Sequence, residues 1–258
     1  MLKSKSKEKG LSLPENPSKP ETDLGKYSTL LYGREKIGKT SFAAQFPDAF
    51  FLMCEPGGKA LSIYKRNVMN WAQLRGYVDL LEQNKGQFKT VVVDTVDMAA
   101  QMCVKYVCEK LAISHPSDEE WGKGWQAVTD EMSSVMSRLL KLGRGVIFIS
   151  HSKEKELKKR NGTSSHRVIP TMPSQARTVL EPMVDIWAYY CYTDEGKRTL
   201  HICGDEHIAA GHRLVDRFKN IKEIPMGSSP LKAYENFLAA FENRLASQNG
   251  GMKVKVRE

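Results

Sequence analysis

One short segment of the sequence has residue types and spacing that suit it to hold phosphate groups. Residues 33–40 read Gly-Arg-Glu-Lys-Ile-Gly-Lys-Thr, fit the pattern GxxxxGK[ST], and lie between an apolar run and an amphipathic one. Glycines let the backbone curl so that its N–H groups point at phosphate oxygens, and a helix N-terminus adds partial positive charge. In such a loop Lys39 contacts the β- and γ-phosphates of ATP and the Thr40 hydroxyl ligates Mg²⁺. The predicted ATP-binding residues are Gly33, Arg34, Glu35, Lys36, Ile37, Gly38, Lys39, Thr40 and Ser41.

An aspartate further along the chain completes the expected magnesium site. An apolar run at residues 90–93 ends in Asp94. P-loop proteins place a magnesium-binding aspartate at the carboxyl end of a parallel strand close to the phosphate loop. A strand that ends in aspartate is common by itself, but together with residues 33–40 it predicts that Thr40 and Asp94 hold the metal.

Hydrolysis of ATP also needs a group that orients the attacking water. Many P-loop ATPases of the AAA type place a glutamate directly after the magnesium-binding aspartate, but this sequence has Thr95 there. A different carboxylate, Glu55, follows the apolar run at residues 49–54. We predict that Glu55 faces the γ-phosphate and that Lys39 assists it in catalysis. The alternative for Glu55 is an exposed turn residue.

The placement of Glu55 resembles that in the RecA family, whose catalytic glutamate ends the same strand. The apolar run at residues 146–150 and His151 after it are similar to the RecA strand that ends in a polar sensor of the γ-phosphate, usually glutamine. An imidazole also donates to a phosphate oxygen or to a bridging water, so the exchange is chemically reasonable. The alternative is that His151 only caps the strand.

The RecA family carries a mobile DNA-binding loop after this sensor, and here the same interval is basic. Residues 153–167 are polar and lack hydrophobic periodicity, which predicts a loop. Cations in it would follow a phosphate backbone without reading its sequence. Glu154 and Glu156 offset part of this charge, so a solvated loop is the alternative. The predicted DNA-binding residues are Lys153, Lys155, Lys158, Lys159, Arg160 and Arg167.

A second candidate DNA-binding loop lies at residues 114–124. Its Trp121 and Trp125 have the flat aromatic surfaces on which unpaired bases stack. Burial of both rings in the protein is the alternative.

One further basic residue is a candidate for contact with the nucleotide of a neighbouring subunit. RecA-like ATPases such as RadA and the DnaB-type helicases carry a Lys-x-Arg pair that reaches a neighbour's nucleotide. Arg213 matches the arginine, whereas Gly211 stands at the lysine position, and Arg217 is the fallback candidate. An arginine supplied in trans stabilises charge in phosphoryl transfer, so the resemblance implies that hydrolysis requires an oligomer.

Apolar runs alternate with helical patterns, which is typical of a parallel sheet covered by helices on both faces. Strands are predicted at residues 28–32, 49–54, 90–94, 146–150, 185–192 and 198–203. Helices are predicted at residues 39–46, 71–83, 96–111 and 125–142, and a last helix is capped by Ser229. A turn at 193–197 makes the last two strands a hairpin. The predicted fold class is α/β: a three-layer RecA-like P-loop NTPase core with a mostly parallel central sheet and a C-terminal antiparallel hairpin.

Composition narrows the class of protein. The 258 residues include 39 Lys and Arg against 30 Asp and Glu, a net charge of +9 that suits a polyanionic partner. Five cysteines form no CxxC pair, so neither a zinc site nor a disulfide framework is expected. No apolar run approaches the ~20 residues of a membrane span. We therefore expect a soluble, cytoplasmic protein with a flexible basic arm (1–26), one ATPase domain (27–246) and a basic tail (247–258).

Over residues 27–218 the motifs are similar to those of the phage-encoded, RecA-core ATPases of single-strand-annealing recombination. This resemblance implies DNA-stimulated hydrolysis of ATP to ADP and phosphate, binding and annealing of single-stranded DNA, and work as an oligomer in the host cytoplasm. It also implies cooperation with a single-strand-binding protein. Two alternatives remain open: a ring-forming helicase-like or helicase-loading ATPase, and a nucleotide-gated DNA-binding regulatory module with little hydrolysis. A small-molecule kinase fits less well, because the sequence lacks an arginine-rich lid segment.

Overall fold

A mostly parallel sheet forms the middle layer of the fold. The computed structural model describes residues 13–84, 86–158 and 164–245. The strands are β1 (Ser28–Gly33), β2 (Ala49–Met53), β3 (Tyr64–Asn67), β4 (Thr90–Asp94), β5 (Gly145–Ser150), β6 (Ser152–Lys158), β7 (Ser164–Pro170), β8 (Ile186–Tyr192), β9 (Arg198–His201), β10 (Gly211–His212) and β11 (Glu223–Pro225). The helices are α1 (Lys39–Ala43), α2 (Trp71–Gln83), α3 (Val96–Leu111), α4 (Lys123–Leu140), α5 (Ser174–Leu180) and α6 (Pro230–Phe241).

The order of strands decides which residues meet. Across the sheet they follow the order β3-β2-β4-β5-β1-β8-β9-β11, and β10 lies beside β8. Strands β3 to β8 in this order are parallel, whereas β9, β10 and β11 pair antiparallel. Because parallel strands end at the same edge, the segments after β1, β2, β4 and β5 converge there.

Two apolar cores fill the spaces between the sheet and the helices. Successive side chains of a strand point to opposite faces, so Leu30 packs into one core and the adjacent Leu31 into the other. Helices α2 to α5 cover the first core, in which Trp71 is fully buried. Helices α1 and α6 cover the second, where the Phe42 and Phe237 rings lie 5.7 Å apart. The predicted three-layer α/β architecture is confirmed.

Several predicted elements are confirmed closely. Helices α2 and α3 and strand β4 have the predicted bounds. The turn predicted at 193–197 joins β8 to β9, and the Thr193 N–H donates to the Lys197 carbonyl at 2.8 Å. Helix α6 begins as expected, because the Ser229 hydroxyl accepts a hydrogen bond from the Lys232 N–H at 3.1 Å.

The prediction of a loop at residues 153–167 was wrong. Strands β6 and β7 pair antiparallel from Ser152–Pro170 to Lys158–Ser164 and form a separate two-stranded sheet, the β6–β7 hairpin. Most of its side chains are exposed or half-buried, so it lacks the apolar alternation by which a half-buried strand is recognised. For the same reason the exposed edge strand β3 was missed. The short elements α5, β10 and β11 were missed as well.

The folded domain begins before residue 27, because part of the predicted flexible arm packs against the core. Leu24 lies within the predicted arm but is only 4% exposed and belongs to the second core. Residues 1–12 of the basic arm, the tail (247–258), Lys159 and Arg160 lie outside the described residues, and predictions for them stay predictions. Among the helices of the described ranges, none is both long enough and apolar enough to cross a membrane.

Candidate nucleotide site

The loop between β1 and α1 is shaped by residues on both sides of it. Ile37 is 1% exposed and anchors the middle of the loop in the second core. Gly38 has a φ of +114°, a conformation that side chains other than glycine rarely adopt. At Gly33 a Cβ atom would lie 2.2 Å from the Tyr190 carbonyl oxygen of the neighbouring strand, so no larger residue fits. Both glycines of the motif are therefore required by the backbone.

Lys39 is held beneath the loop. Its side chain is nearly buried, and its ammonium donates to the carbonyls of Gly33 at 2.7 Å and Arg34 at 2.8 Å. Burial lowers the pKa of Lys39, and the nearby carboxylates, Asp94 first, oppose that shift. The protein thus keeps a partly desolvated cation at the place where the motif predicts contact with β- and γ-phosphates.

The two predicted magnesium ligands are in direct contact. The Thr40 hydroxyl donates to Asp94 Oδ2 at 2.7 Å, and Asp94 is 3% exposed. Burial raises the pKa of Asp94, while the Thr40 hydrogen bond and the Lys39 charge act in the opposite direction. A hydroxyl and a carboxylate at the base of a cleft are hard oxygen donors, and this donor set fits Mg²⁺.

The predicted water-orienting residue and the predicted sensor contact each other. Glu55 Oε1 lies 3.3 Å from His151 Nε2, and Glu55 Oε2 accepts a hydrogen bond from the Thr95 hydroxyl at 3.2 Å. His151 Nδ1 lies 3.5 Å from the Lys39 ammonium. Sequence reasoning missed the role of Thr95, although its position directly after Asp94 was the available signal. The structure therefore joins Glu55, His151 and Lys39 in one cluster.

These groups open into a cleft of about 480 Å³. It is lined by Glu35, Lys36, Gly38, Lys39, Thr40, Ser41, Met53, Glu55, Pro56, Gly57, Asp94 and His151. Arg34 points elsewhere, since its guanidinium lies over the Tyr192 ring at 5.7 Å.

The β6–β7 hairpin leaves the cleft directly after His151, and its register separates its charges. Lys155 pairs with Arg167, and the next residue, Glu156, pairs with His166. Since alternate residues face opposite sides, Lys153, Lys155 and Arg167 share one face and Glu154 and Glu156 lie on the other. Lys158 shares the acidic face. The carboxylates that offset the basic charge in the sequence are thus directed away from it in the structure.

Arg213 is not brought to the cleft of its own chain. Its Nη2 donates to the Pro182 carbonyl at 2.5 Å, and its Nε lies 4.0 Å from Asp185, which accepts a hydrogen bond from Ser28. Ser28 begins β1, so Arg213 lies at the opposite end of that strand from the phosphate loop. The fallback candidate Arg217 is placed over the Phe241 ring at 4.7 Å.

The two tryptophans of the second candidate loop differ. Trp125 donates to the Ser117 hydroxyl at 3.1 Å and packs edge-on against His115. Trp121 is 92% exposed, but it follows the carboxylates of residues 118–120, which repel DNA phosphates.

The parallel sheet, the phosphate loop and the Thr40–Asp94 pair define a P-loop ATPase. A protein family described as an AAA domain (AAA_24) matches residues 25–214, and the chain belongs to that family. In this chain the residue after Asp94 is Thr95, and its hydroxyl donates to Glu55 beside the cleft.

Two known proteins are similar to this chain. The SPbeta prophage-derived uncharacterized protein YorG of Bacillus subtilis (strain 168) is 28% identical over 167 residues, which are 62% of this chain and 48% of that protein. The chain thus matches about half of the length of this relative. The solved structure of a KaiC-like protein, PH0186 from Pyrococcus horikoshii OT3, is similar with a TM-score of 0.47 and 14% identity. That match covers 80% of this chain and 88% of the other.

Proposed function

We propose that this protein is a phage-derived, DNA-stimulated ATPase that hydrolyses ATP to ADP and phosphate and binds single-stranded DNA as an oligomer. The observation that carries the proposal is the continuity of two sites. His151 contacts Glu55 in the cleft, and the β6–β7 hairpin with its basic face begins at the next residue. The prophage origin of the YorG relative supports the phage assignment.

ATP binding uses groups that the protein already holds in place. Lys39 exchanges the carbonyls of Gly33 and Arg34 for phosphate oxygens, and the loop N–H groups surround the same phosphates. Thr40 and Asp94 would hold Mg²⁺, which supplies charge neutralisation for the phosphates when bound. Because Lys39 is nearly buried, its positive charge acts through little solvent and attracts the phosphates strongly. The Asp94 carboxylate repels phosphate and would act on it only through Mg²⁺.

Hydrolysis is assigned to Glu55. Its carboxylate accepts a proton from the attacking water, whose oxygen bonds to the γ-phosphorus as the bond to the ADP oxygen breaks. Thr95 and His151 hold the two oxygens of this carboxylate, so that its orientation is fixed before substrate binds. His151 also lies next to Lys39, where it can sense the γ-phosphate.

Binding of DNA is assigned to the basic face of the β6–β7 hairpin. Lys153 and Lys155 are exposed on it, and Arg167 is half-buried beside Lys155. Such a row of cations follows a phosphate backbone without base specificity, as an ATPase of strand annealing requires. Lys158 lies on the other face and contributes less.

Assembly would complete the site. Arg213 lies at the end of β1 far from the phosphate loop and is about half exposed, so we assign it to the nucleotide of another subunit and not to that of its own. A cation supplied across an interface makes turnover depend on protein concentration. A ring and an open filament both satisfy this geometry, and a single-strand-binding protein remains the proposed partner on the DNA.

The test is ATP turnover measured with and without single-stranded DNA over a range of protein concentrations. We expect stimulation by DNA and an increase steeper than linear in protein. Glu55→Gln is the control for background hydrolysis, because it keeps the shape of the side chain but lacks the basic carboxylate. Turnover that ignores DNA and is proportional to protein would refute the DNA-dependent oligomer and leave an isolated ATPase.

A further inference from the structure

A buried carboxylate stands between the nucleotide cleft and the β6–β7 hairpin. Asp97 lies in the first turn of α3, just after the Asp94–Thr95 segment, and is 8% exposed. Its Oδ1 accepts hydrogen bonds from the Ser150 hydroxyl at 3.1 Å and from the Thr171 hydroxyl. Its Oδ2 is buried and makes no hydrogen bond within the residues that the structure describes.

Those two hydroxyls flank the two legs of the hairpin, one on each side. Ser150 ends β5, immediately before the first leg, and Thr171 directly follows Pro170, the last residue of the second leg. The Thr171 N–H donates to the His151 carbonyl at 3.0 Å and closes the base of the hairpin. Asp97 therefore fixes both legs of the hairpin to the start of α3.

The same base is in contact with the nucleotide cleft. His151 follows Ser150, and its two ring nitrogens lie 3.5 Å from the Lys39 ammonium and 3.3 Å from Glu55. The Asp97 charge is also felt in the cleft, where it raises the pKa of Lys39 against the effect of burial. A displacement of His151 by the γ-phosphate would thus be transmitted to the oxygen that holds Thr171.

The arrangement is poor for stability alone. A carboxylate withdrawn from water with one oxygen unsatisfied destabilises the fold, and departures of this kind are concentrated at functional sites. The unsatisfied Oδ2 offers a second acceptor 120° away on the same group. A hydroxyl that moves from Oδ1 to Oδ2 keeps Asp97 as its partner, so this contact allows a second arrangement of the kind that coupling between two sites requires.

We propose that Asp97 is a positioning residue which, through Ser150 and Thr171, couples the state of the nucleotide to the DNA affinity of the β6–β7 hairpin. This inference rests on the proposed function, since it assumes that the hairpin binds DNA.

The experiment measures the Kd of a fluorescent single-stranded oligonucleotide without nucleotide and with Mg²⁺ and a slowly hydrolysed ATP analogue. The ratio of the two Kd values reports the coupling and is independent of turnover. We expect the ratio in the natural protein to fall within the range of about 5- to 150-fold that is typical of allosteric coupling. Thr171→Val removes the hydroxyl and should bring the ratio close to one, while each ligand still binds.

Three further variants make the test specific. Thr171→Ser restores the hydroxyl and should restore the ratio. Thr178→Val makes the same chemical change in α5, where the hydroxyl donates to the Ser174 carbonyl within the same helix, and should leave the ratio unchanged. Asp97→Asn keeps an acceptor for both hydroxyls but removes the charge, and its ratio should lie between those of the natural protein and Thr171→Val. If Thr171→Val is unstable, Asp97→Asn alone carries the test.

The outcomes separate the two proposals. A ratio of one in the natural protein overturns the nucleotide-dependent DNA binding and the coupling with it. A large ratio that survives in both Thr171→Val and Asp97→Asn leaves the proposed function standing and overturns the role of Asp97. Loss of DNA binding in Thr171→Val even without nucleotide would show that the contact only holds the hairpin together, which also overturns that role.

Discussion

The nucleotide cleft and the β6–β7 hairpin are adjacent in the chain, but polar and charged side chains are buried at the base of the cleft and exposed on the hairpin. In the cleft, Lys39, Asp94 and Thr95 are at most 6% exposed, and each is held by a hydrogen bond to a neighbouring side chain or carbonyl. On the hairpin, Lys153 and Lys155 project into solvent. Groups that perform chemistry need fixed geometry, whereas groups that follow a flexible polymer need access.

The charged groups of the two regions also differ in the free energy that their removal from water costs. Withdrawal from water makes the charges of the cleft costly, so each depends on an oppositely charged or hydrogen-bonding neighbour. The charges of the hairpin are solvated and cost little until DNA binds. Substitutions in the cleft should therefore change chemistry and stability, and substitutions on the hairpin should change DNA affinity alone.

The strongest test of this contrast is Glu55→Gln. Loss of the base that accepts the water proton should lower turnover by about 10²- to 10⁴-fold. Because the carboxamide still accepts a hydrogen bond from Thr95, ATP affinity should stay within a few-fold of that of the natural protein. Turnover is followed by phosphate release and affinity by a fluorescent ATP analogue. Unchanged turnover would remove Glu55 from its catalytic role.

A smaller effect is expected on the hairpin. Reversal of two charges in Lys153→Glu/Lys155→Glu should weaken binding of single-stranded DNA about ten-fold or more at low salt and reduce the slope of log Kd against log salt by about 1.4. Basal ATP turnover without DNA should not change. The matched control is Glu154→Gln/Glu156→Gln on the opposite face, for which we expect little change in DNA affinity. Equal effects in both double variants would contradict the assignment of one face.

Asp94→Asn should separate stability from function. Because burial raises the pKa of Asp94, the contribution of this group to stability is present below its ordinary pKa of 3.8 and is lost as the pH rises through the higher folded value. At pH 7 the charge therefore destabilises the nucleotide-free protein, and Asp94→Asn should raise its Tm by about 2–4 °C per kcal/mol gained. Calorimetry should show the difference shrinking toward pH 4, while Mg²⁺-dependent ATP binding is lost at neutral pH. A lower Tm at pH 7 would contradict this account.

Thiol reactivity should also separate the two regions, without an effect on function. Cys54 directly precedes Glu55, and burial raises the pKa of its thiol to about 12. Its thiolate is scarce at pH 8, so alkylation should be very slow in the folded protein and fast in denaturant. A cysteine placed on the hairpin by Ser164→Cys, in a Cys54-containing chain, should react at the rate of a free thiol. Similar rates at both positions, measured by mass spectrometry of peptides, would show that the cleft is no more rigid than the hairpin.

The same two regions differ in how well the sequence predicted their structure. The cleft was predictable because its motif specifies a backbone path, and Lys39, Thr40, Asp94, Glu55 and His151 do meet. Apolar strands and amphipathic helices around it were placed well because burial imposes a period on the sequence.

What the sequence did not reveal depends on long-range contacts. Most side chains of the hairpin are exposed or half-buried, so its strands leave no regular apolar period, and the separation of its charges appears only from the pairing of Lys155 with Arg167. The contact of Asp97 with Thr171 joins positions far apart in the chain. Thr95 stands where many AAA-type ATPases have a glutamate, and its hydrogen bond to Glu55 appears only from the structure.

The register of the β6–β7 hairpin also limits how its length can change during evolution. Inserting a single residue in β6 between the cleft and Lys153 would turn every later side chain of that strand over, and Glu154 and Glu156 would then lie on the face that we propose to bind DNA. Insertion of two residues would preserve the faces and only lengthen the hairpin. Relatives with hairpins of different lengths are therefore expected to differ by even numbers of residues within the strands, and odd changes should be confined to the tip.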